Sequence, residues 1–277
     1  MSRSSRLVLQ ILLPILVLAA AAGPASAFDI LGVTFYDNQL IDISSSTGAA
    51  TLVGNLSSNE SAYGLATYAG KLYTFDSNAD RVLQLSPTSG QTVASFNVGI
   101  GPVLGQGGFT FSNTGTGFLA SILDPSTDNV VNDLYKFTLG STSPTLLHTT
   151  VSLGALAFGS NGVLYALGKS DGMLYSVDTT TGATTALASL NYSAGSPFES
   201  LMAGPGGLLY ATLDDRLFLI DPTTGNATPI DPDPDNYTGF SSITGIVSAA
   251  AVPEPTSFVL MGTALAVALG MRRSLRR

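Results

Sequence analysis

A single pattern recurs through the middle of the chain: a Leu-Tyr or Leu-Phe strand, a polar turn, a second apolar strand, then Thr-Gly or Ser-Gly. Copies run from Leu72 to Gly90 (LYTFDSNADRVLQLSPTSG), Leu164 to Gly182 (LYALGKSDGMLYSVDTTTG) and Leu209 to Gly225 (LYATLDDRLFLIDPTTG), with an N-terminal copy from Val33 to Gly48 (VTFYDNQLIDISSSTG). A fifth copy, Phe118 to Leu147, is degenerate: its turn lengthens to span Asp124 to Asp133, and Gly140 stands where Thr-Gly is expected. Short small-residue strands precede the copies: Gly64-Leu65-Ala66, Gly108-Phe109-Thr110, Ala155-Leu156-Ala157 and Ser200-Leu201-Met202. Their central residues are 44, 47 and 45 positions apart. Self-similarity at a fixed period constrains the fold strongly, because one such unit cannot bury its apolar faces alone and must stack on its neighbours.

About 45 residues carrying four short strands is the period of a propeller blade. Strand alternation agrees: in RVLQLS (Arg81 to Ser86), Val82 lies on one face and Leu83 and Leu85 on the other, so both faces are apolar. No segment between the two ends of the chain sustains a helical period, and Gly and Pro interrupt nearly every window. The first copy has no inner strand of its own. FSSITGIVSA (Phe240 to Ala249) lies one further period on with no outer strands after it, and is expected to close the ring by completing the first blade. The prediction is an all-β, five-bladed propeller closed by a C-terminal strand, with a β-sandwich of accidental periodicity as the alternative. The unit resembles the short repeats of extracytoplasmic bacterial propellers of the YVTN and quinoprotein-like kinds, over most of residues 30 to 232. That resemblance implies a scaffold and transfers no active site.

Both ends of the chain read as export signals. Met1 to Ala27 carries Arg3 and Arg6, an apolar core from Leu7 to Ala22, and the small-x-small site Ala25-Ser26-Ala27. This predicts a signal peptide over residues 1–27, cut after Ala27 by signal peptidase following passage through the Sec translocon. At the other end, Val252, Pro253, Glu254 and Pro255 precede an apolar run that reaches Met271, and Arg272, Arg273, Arg276 and Arg277 follow. The prolines favour extended backbone. An apolar run that enters lipid must be helical, and the arginines would hold it with their side toward the cytoplasm. The run is shorter than the ~20 residues a span usually needs. The order and spacing of these parts resemble the PEP-CTERM sorting signal of Gram-negative bacteria. The resemblance implies recognition by a membrane-embedded exosortase, removal of the helix near Pro253-Glu254-Pro255, and delivery from an inner-membrane precursor to the cell envelope or beyond. The expected organisation is signal peptide 1–27, propeller 28–250, sorting motif 251–256, transmembrane helix 257–271 and basic cytoplasmic tail 272–277.

Composition narrows what the central domain can do. Between Phe28 and Val252 there are eighteen acids against five bases (Lys71, Arg81, Lys136, Lys169, Arg216), a balance of −13, so nucleic acid is not an expected partner. There is no cysteine and one histidine, His148, which excludes the usual zinc and haem ligand sets. No neighbouring sequence motif supplies His148 with an orienting partner. On the propeller, the turns joining second and third strands and the connections into the inner strands share one face, and fourteen of the eighteen acids fall there. Glu60, Tyr63, Asp76, Asp124, Asp171, Phe198, Glu199 and Asp214 are the candidates for lining that mouth of the channel, with Ca²⁺ as the candidate cation for hard oxygen ligands outside the cell. Turn-forming aspartates on a soluble surface account for the same acids without a ligand. Asp42, Asp178 and Asp221 fall on the opposite face as expected turn caps. The function expected is a non-enzymatic binding or structural domain at the surface or in the matrix, with exopolysaccharide or surface proteins as candidate partners and no cofactor. The alternative is an extracytoplasmic hydrolase or lyase using carboxylates on a polysaccharide or lactone.

Overall fold

Apolar residues on both faces of short strands require packing on both sides, and the chain meets this requirement with five separate four-stranded antiparallel sheets. The computed structural model describes residues 28–100, 107–123, 130–191, 199–213, 215–230, 240 and 243–249. The expected signal peptide, C-terminal helix and basic tail, the sorting motif, and Asp124, Phe198 and Asp214 lie outside the described residues. Among the described residues no helix is long and apolar enough to cross a membrane.

The chain begins with β1 (Asp29–Thr34), β2 (Gln39–Ser44) and β3 (Ala50–Asn55), the outer three strands of the first blade. The second blade is β4 (Ala62–Tyr68), β5 (Lys71–Asp76), β6 (Arg81–Leu85) and β7 (Thr92–Asn97). The third is β8 (Phe109–Phe111), β9 (Thr116–Leu123), β10 (Val130–Thr138) and β11 (Thr145–His148). The fourth is β12 (Leu153–Phe158), β13 (Leu164–Gly168), β14 (Met173–Val177) and β15 (Thr184–Ser189). The fifth is β16 (Ser200–Ala203), β17 (Leu209–Leu213), β18 (Arg216–Ile220) and β19 (Ala227–Pro229). β20 (Ile243–Ser248) then returns to pair antiparallel with β1, Leu31 opposite Val247 and Gly32 opposite Ile246, as the sequence period requires. Each inner strand touches the next around the ring, β4 to β8 to β12 to β16 to β20 and back to β4, which replaces the sandwich alternative with a propeller.

The core is divided among the five blade interfaces. Strand alternation sends Leu83 and Leu85 against Leu31, Val33 and Leu40 of the first blade, and sends Val82 against Phe109 and Phe111 of the third. The closing strand serves two interfaces, with Val247 beside the second blade and Ile243 and Ile246 beside Met202 and Tyr210 of the fifth. Each fully buried aliphatic side chain contributes roughly 1.5–3 kcal/mol. Buried hydroxyls fasten the same strand on both sides: Thr212 Oγ1 donates to the Ile243 carbonyl at 2.7 Å, and Thr244 Oγ1 to the Ala62 carbonyl at 3.1 Å.

The recurring Thr-Gly or Ser-Gly is explained by one loop geometry. Gly48, Gly90, Gly182 and Gly225 have φ between 72° and 81°, and each N–H donates to the carbonyl four residues back (Ser44, Ser86, Asp178, Asp221) at 2.8–2.9 Å. The left-handed conformation excludes most side chains. Asp178 and Asp221 cap these turns, their Oδ1 atoms accepting the Thr180 and Thr223 N–H groups at 2.8 Å. In the first copy, Ser44 holds the capping position and Asp42 sits two residues inside β2, paired with Leu31 and Thr51. The expectation of a cap at Asp42 is therefore corrected: a two-residue offset in a strand keeps it on the same face but away from the turn.

Three of these glycines, Gly90, Gly182 and Gly225, also dock on the preceding blade. A Cβ on Gly225 would stand 2.2 Å from the Ser189 carbonyl oxygen, whereas a Cβ on Gly140, in the third blade with φ 80°, would meet nothing within 4 Å. Gly140→Ala should therefore cost only the left-handed strain, about 1 kcal/mol, and Gly225→Ala at least about 2 kcal/mol more through overlap with backbone. Denaturant melts of the two variants check this, and equal losses would show that the blade contact is not tight.

Candidate functional site

The face that gathers the second-to-third turns and the connections into the inner strands holds all the described candidates: Glu60, Tyr63, Asp76, Asp171 and Glu199. Their local structures differ. Asp76 ends β5 and is fully buried, and its Oδ1 accepts the N–H groups of Ser61 (3.1 Å) and Asn78 (3.2 Å) while its Oδ2 accepts Arg81 Nε at 3.1 Å. Hydrogen bonds to a charged group are each worth about 1.5–3 kcal/mol, so this carboxylate fastens the connection into β4 onto the β5–β6 turn. Glu60 is also buried. It accepts the Thr92 hydroxyl at 2.7 and 2.9 Å and the Ser57 N–H at 3.2 Å, with Arg81 at 4.0 Å. The structure thus brings Glu60 and Asp76 together, but around Arg81 in the second blade.

Asp171 lies at an exposed turn of the fourth blade, where its two oxygens accept the Met173 N–H at 3.0 Å and the Tyr175 hydroxyl at 2.5 Å. Tyr63 and Glu199 approach the axis. Glu199 borders a small cavity of about 10 Å³ on the axis, lined also by Gly64, Gly108, Gly245, Ser200 and Thr244. Glycine lets the backbones approach here: a Cβ on Gly245 would stand 2.1 Å from the Leu65 nitrogen, and one on Gly108 2.2 Å from the Leu156 nitrogen. Tyr63 packs its ring on Phe35 at 4.8 Å. Burial, then the nearby Tyr36 and Glu199, push its phenol up to about 12. Burial lowers the Lys169 ammonium from its usual value, against the opposing pull of Glu199. Glu199 is therefore close enough to influence both groups. Among the described residues no set of three or more His, Asp or Glu side chains is placed to hold a metal ion.

Two features were not legible in the linear spacing. His148 has an orienting carboxylate after all: β10 and β11 pair Asp133 directly opposite it, and His148 Nδ1 lies 3.0 Å from Asp133 Oδ1 on the exposed rim. The second is a cleft of about 430 Å³ on the opposite face of the disc, between the third and fourth blades. Its walls are the turns around Ser112, Thr114, Ser160 and Thr179, with Phe118, Phe158 and Lys136 among its lining residues. Its sequence signal is a run of hydroxyl and amide residues in the first-to-second turn, Ser112-Asn113-Thr114-Gly115-Thr116, in the same blade as Lys136.

Tyr63 and Tyr175 give the site a measurable alkaline signature. Tyr175 is likewise pushed up to about 12, by burial first and then by the Asp171 hydrogen bond and charge. Both groups hold their protons in the fold beyond the ordinary tyrosine value of 10.0, so their contribution to stability is complete below pH 10 and is lost as pH rises toward 12. Lys169, lowered in the fold, works against this trend. Denaturation midpoints should fall between pH 10 and 12, and Tyr63→Phe should make that fall shallower; identical slopes would remove Tyr63 as a contributor.

Comparison with known proteins separates the sorting signal from the scaffold. Residues 251–277 match the family described as the PEP-CTERM protein-sorting motif. No curated protein matches the chain by sequence. Solved structures match widely, 742 chains in all, so likeness at this level reports the fold. A protein of unknown function from Bacteroides caccae aligns over 80% of this chain and 98% of its own, with TM-score 0.53 and 12% identity. A chain of a nidogen/laminin complex aligns over 79% and 84%, with TM-score 0.52 and 13% identity. Virginiamycin B lyase from Staphylococcus aureus aligns over 69% of this chain and 65% of its own, with TM-score 0.44 and 12% identity, so the match spans under two thirds of the lyase. The chain thus joins a five-bladed β-propeller to a PEP-CTERM protein-sorting motif at residues 251–277.

Proposed function

We propose that this is an exported protein, sorted by an exosortase, whose propeller is a non-enzymatic binding or structural domain at the cell surface or in the extracellular matrix. The observation that carries the proposal is the sorting motif at 251–277, directly behind a strand, β20, that ends at Ser248. Every residue that β20 contributes to ring closure precedes the motif, so a cut near Pro253-Glu254-Pro255 would release the domain with its first blade, and so the ring, complete. The extended backbone favoured by two prolines suits a segment that a protease must reach. A binding or structural role is supported by what the buried acids do: Glu60 and Asp76 spend their oxygens on backbone N–H groups, Thr92 and Arg81, which leaves them engaged in holding the second blade.

Replacing Pro253, Glu254 and Pro255 by alanine in the host tests the sorting step. The C-terminus, followed by mass spectrometry, should remain at its unprocessed length in the variant, and the protein should stay with the inner membrane. Equal processing of both forms would refute exosortase sorting.

A further inference from the structure

The cleft between the third and fourth blades has a chemistry unlike the rest of the domain. Lys136 reaches it from β10, and its ammonium donates one hydrogen bond, to the Thr179 carbonyl at 3.3 Å. Among the described residues it makes no ion pair, whereas Arg81 faces Asp76 and Glu60. An ammonium carries three donors, so Lys136 retains capacity for a ligand in the cleft. Asp178, beside Thr179, forms no ion pair with Lys136, and its Oδ1 accepts the Thr180 and Thr181 N–H groups at 2.8 and 2.9 Å. The other described acids on this face are Asp29, Asp42 and Asp221, and the second-to-third turns with most of the acids lie on the far side of the disc.

The lining matches one ligand class. Ser112, Asn113, Thr114, Thr116, Ser160 and Thr179 surround the opening with hydroxyl and amide groups. Several are already ordered: the Ser112 and Thr114 hydroxyls lie 2.9 Å apart, and Ser112 Oγ accepts the Thr116 N–H at 3.1 Å. Phe158 lies beneath, half-buried, and also borders a pocket of about 160 Å³ at the channel mouth; the ring of Phe118, fully buried, backs it at a centroid distance of 5.6 Å. Many weak hydroxyl contacts, an aromatic surface for the C–H face of a pyranose, and one point charge suit a polyhydroxylated monoanion. A phosphate or sulfate would call for several converging donors of positive character. A volume of about 430 Å³ lies within the range of small-ligand sites, roughly 300–1,000 Å³.

We propose that this cleft binds a carboxylated sugar within an acidic oligosaccharide, Lys136 pairing with the carboxylate while the turn hydroxyls contact the ring. The proposal rests on the binding reading of the propeller and names its ligand class.

The test uses the full chain in mild detergent, with trigalacturonate and its methyl ester as probes in isothermal titration calorimetry. The wild-type protein should bind trigalacturonate at least about tenfold more tightly than the ester, by an amount that shrinks with added salt, as a charge pair requires. Lys136→Gln keeps a donor for Thr179 and should remove that preference. Ser160→Trp, on an exposed turn, should block both probes while leaving the melting temperature in place. The proposal is overturned if the wild-type protein does not bind trigalacturonate, if Lys136→Gln retains the preference, or if Ser160→Trp binds as well as the wild type. Processing of the C-terminus is followed in parallel: a wild-type protein that is processed normally but shows no preference for trigalacturonate refutes this site alone, and loss of processing bears on the sorting assignment instead.

Discussion

The pairing of β20 with β1 is the constraint on which the rest depends. Five blades packed on both faces leave no free surface for a core elsewhere, so the first and last strands share one sheet, which lets the first blade cover the apolar face of the fifth. β20 does this with six residues, Ile243–Ser248, and is held from both neighbouring blades by the hydroxyls of Thr212 and its own Thr244. With no cysteine in the chain, covalent closure of the ring is absent, and the seam relies on a strand ladder, buried aliphatic side chains and hydroxyl clips. Closure confines the free sheet edges to the short outer strands β3, β7, β11, β15 and β19.

Much of this architecture is legible in the residues because it is repeated. Gly90, Gly182 and Gly225 recur at one place in each copy for a backbone reason, the left-handed turn, and the inner strands are small because Gly64, Gly108 and Gly245 let backbones approach across a narrow channel. The outer strands of the first blade are separated from their inner strand by nearly the whole chain, yet the period still locates FSSITGIVSA as the missing piece. Where repetition stops, so does legibility. Asp42 reads as a cap by residue type, but the cap belongs to Ser44, because type alone does not set register. Asp133 and His148 are fifteen residues apart and meet only because β10 and β11 pair in a particular register.

The candidate site shows the same limit more sharply. Placing the described acids on one face is a topological inference that the strand directions support, but the individual fates of Glu60 and Asp76 depend on contacts with Arg81, Thr92 and three backbone N–H groups. Aspartate and glutamate mark that face conspicuously in the sequence. The cleft opposite is built from serine, threonine and one lysine, residues that look like ordinary turn and surface composition until blades three and four bring them together. The domain then divides its labour by face: acids and channel constriction on one side, and on the other a polar cleft holding Lys136.

Native-state hydrogen exchange across the closing seam tests the central claim, that a six-residue C-terminal strand completes the first blade and holds the ring. The β20 amides that donate to β1 should exchange only with global unfolding, at the same free energy as the protected amides of β1 and β2. Exchange of the β20 amides at a markedly lower free energy than β1 and β2 would contradict the claim, by showing that the ring is held without its last strand.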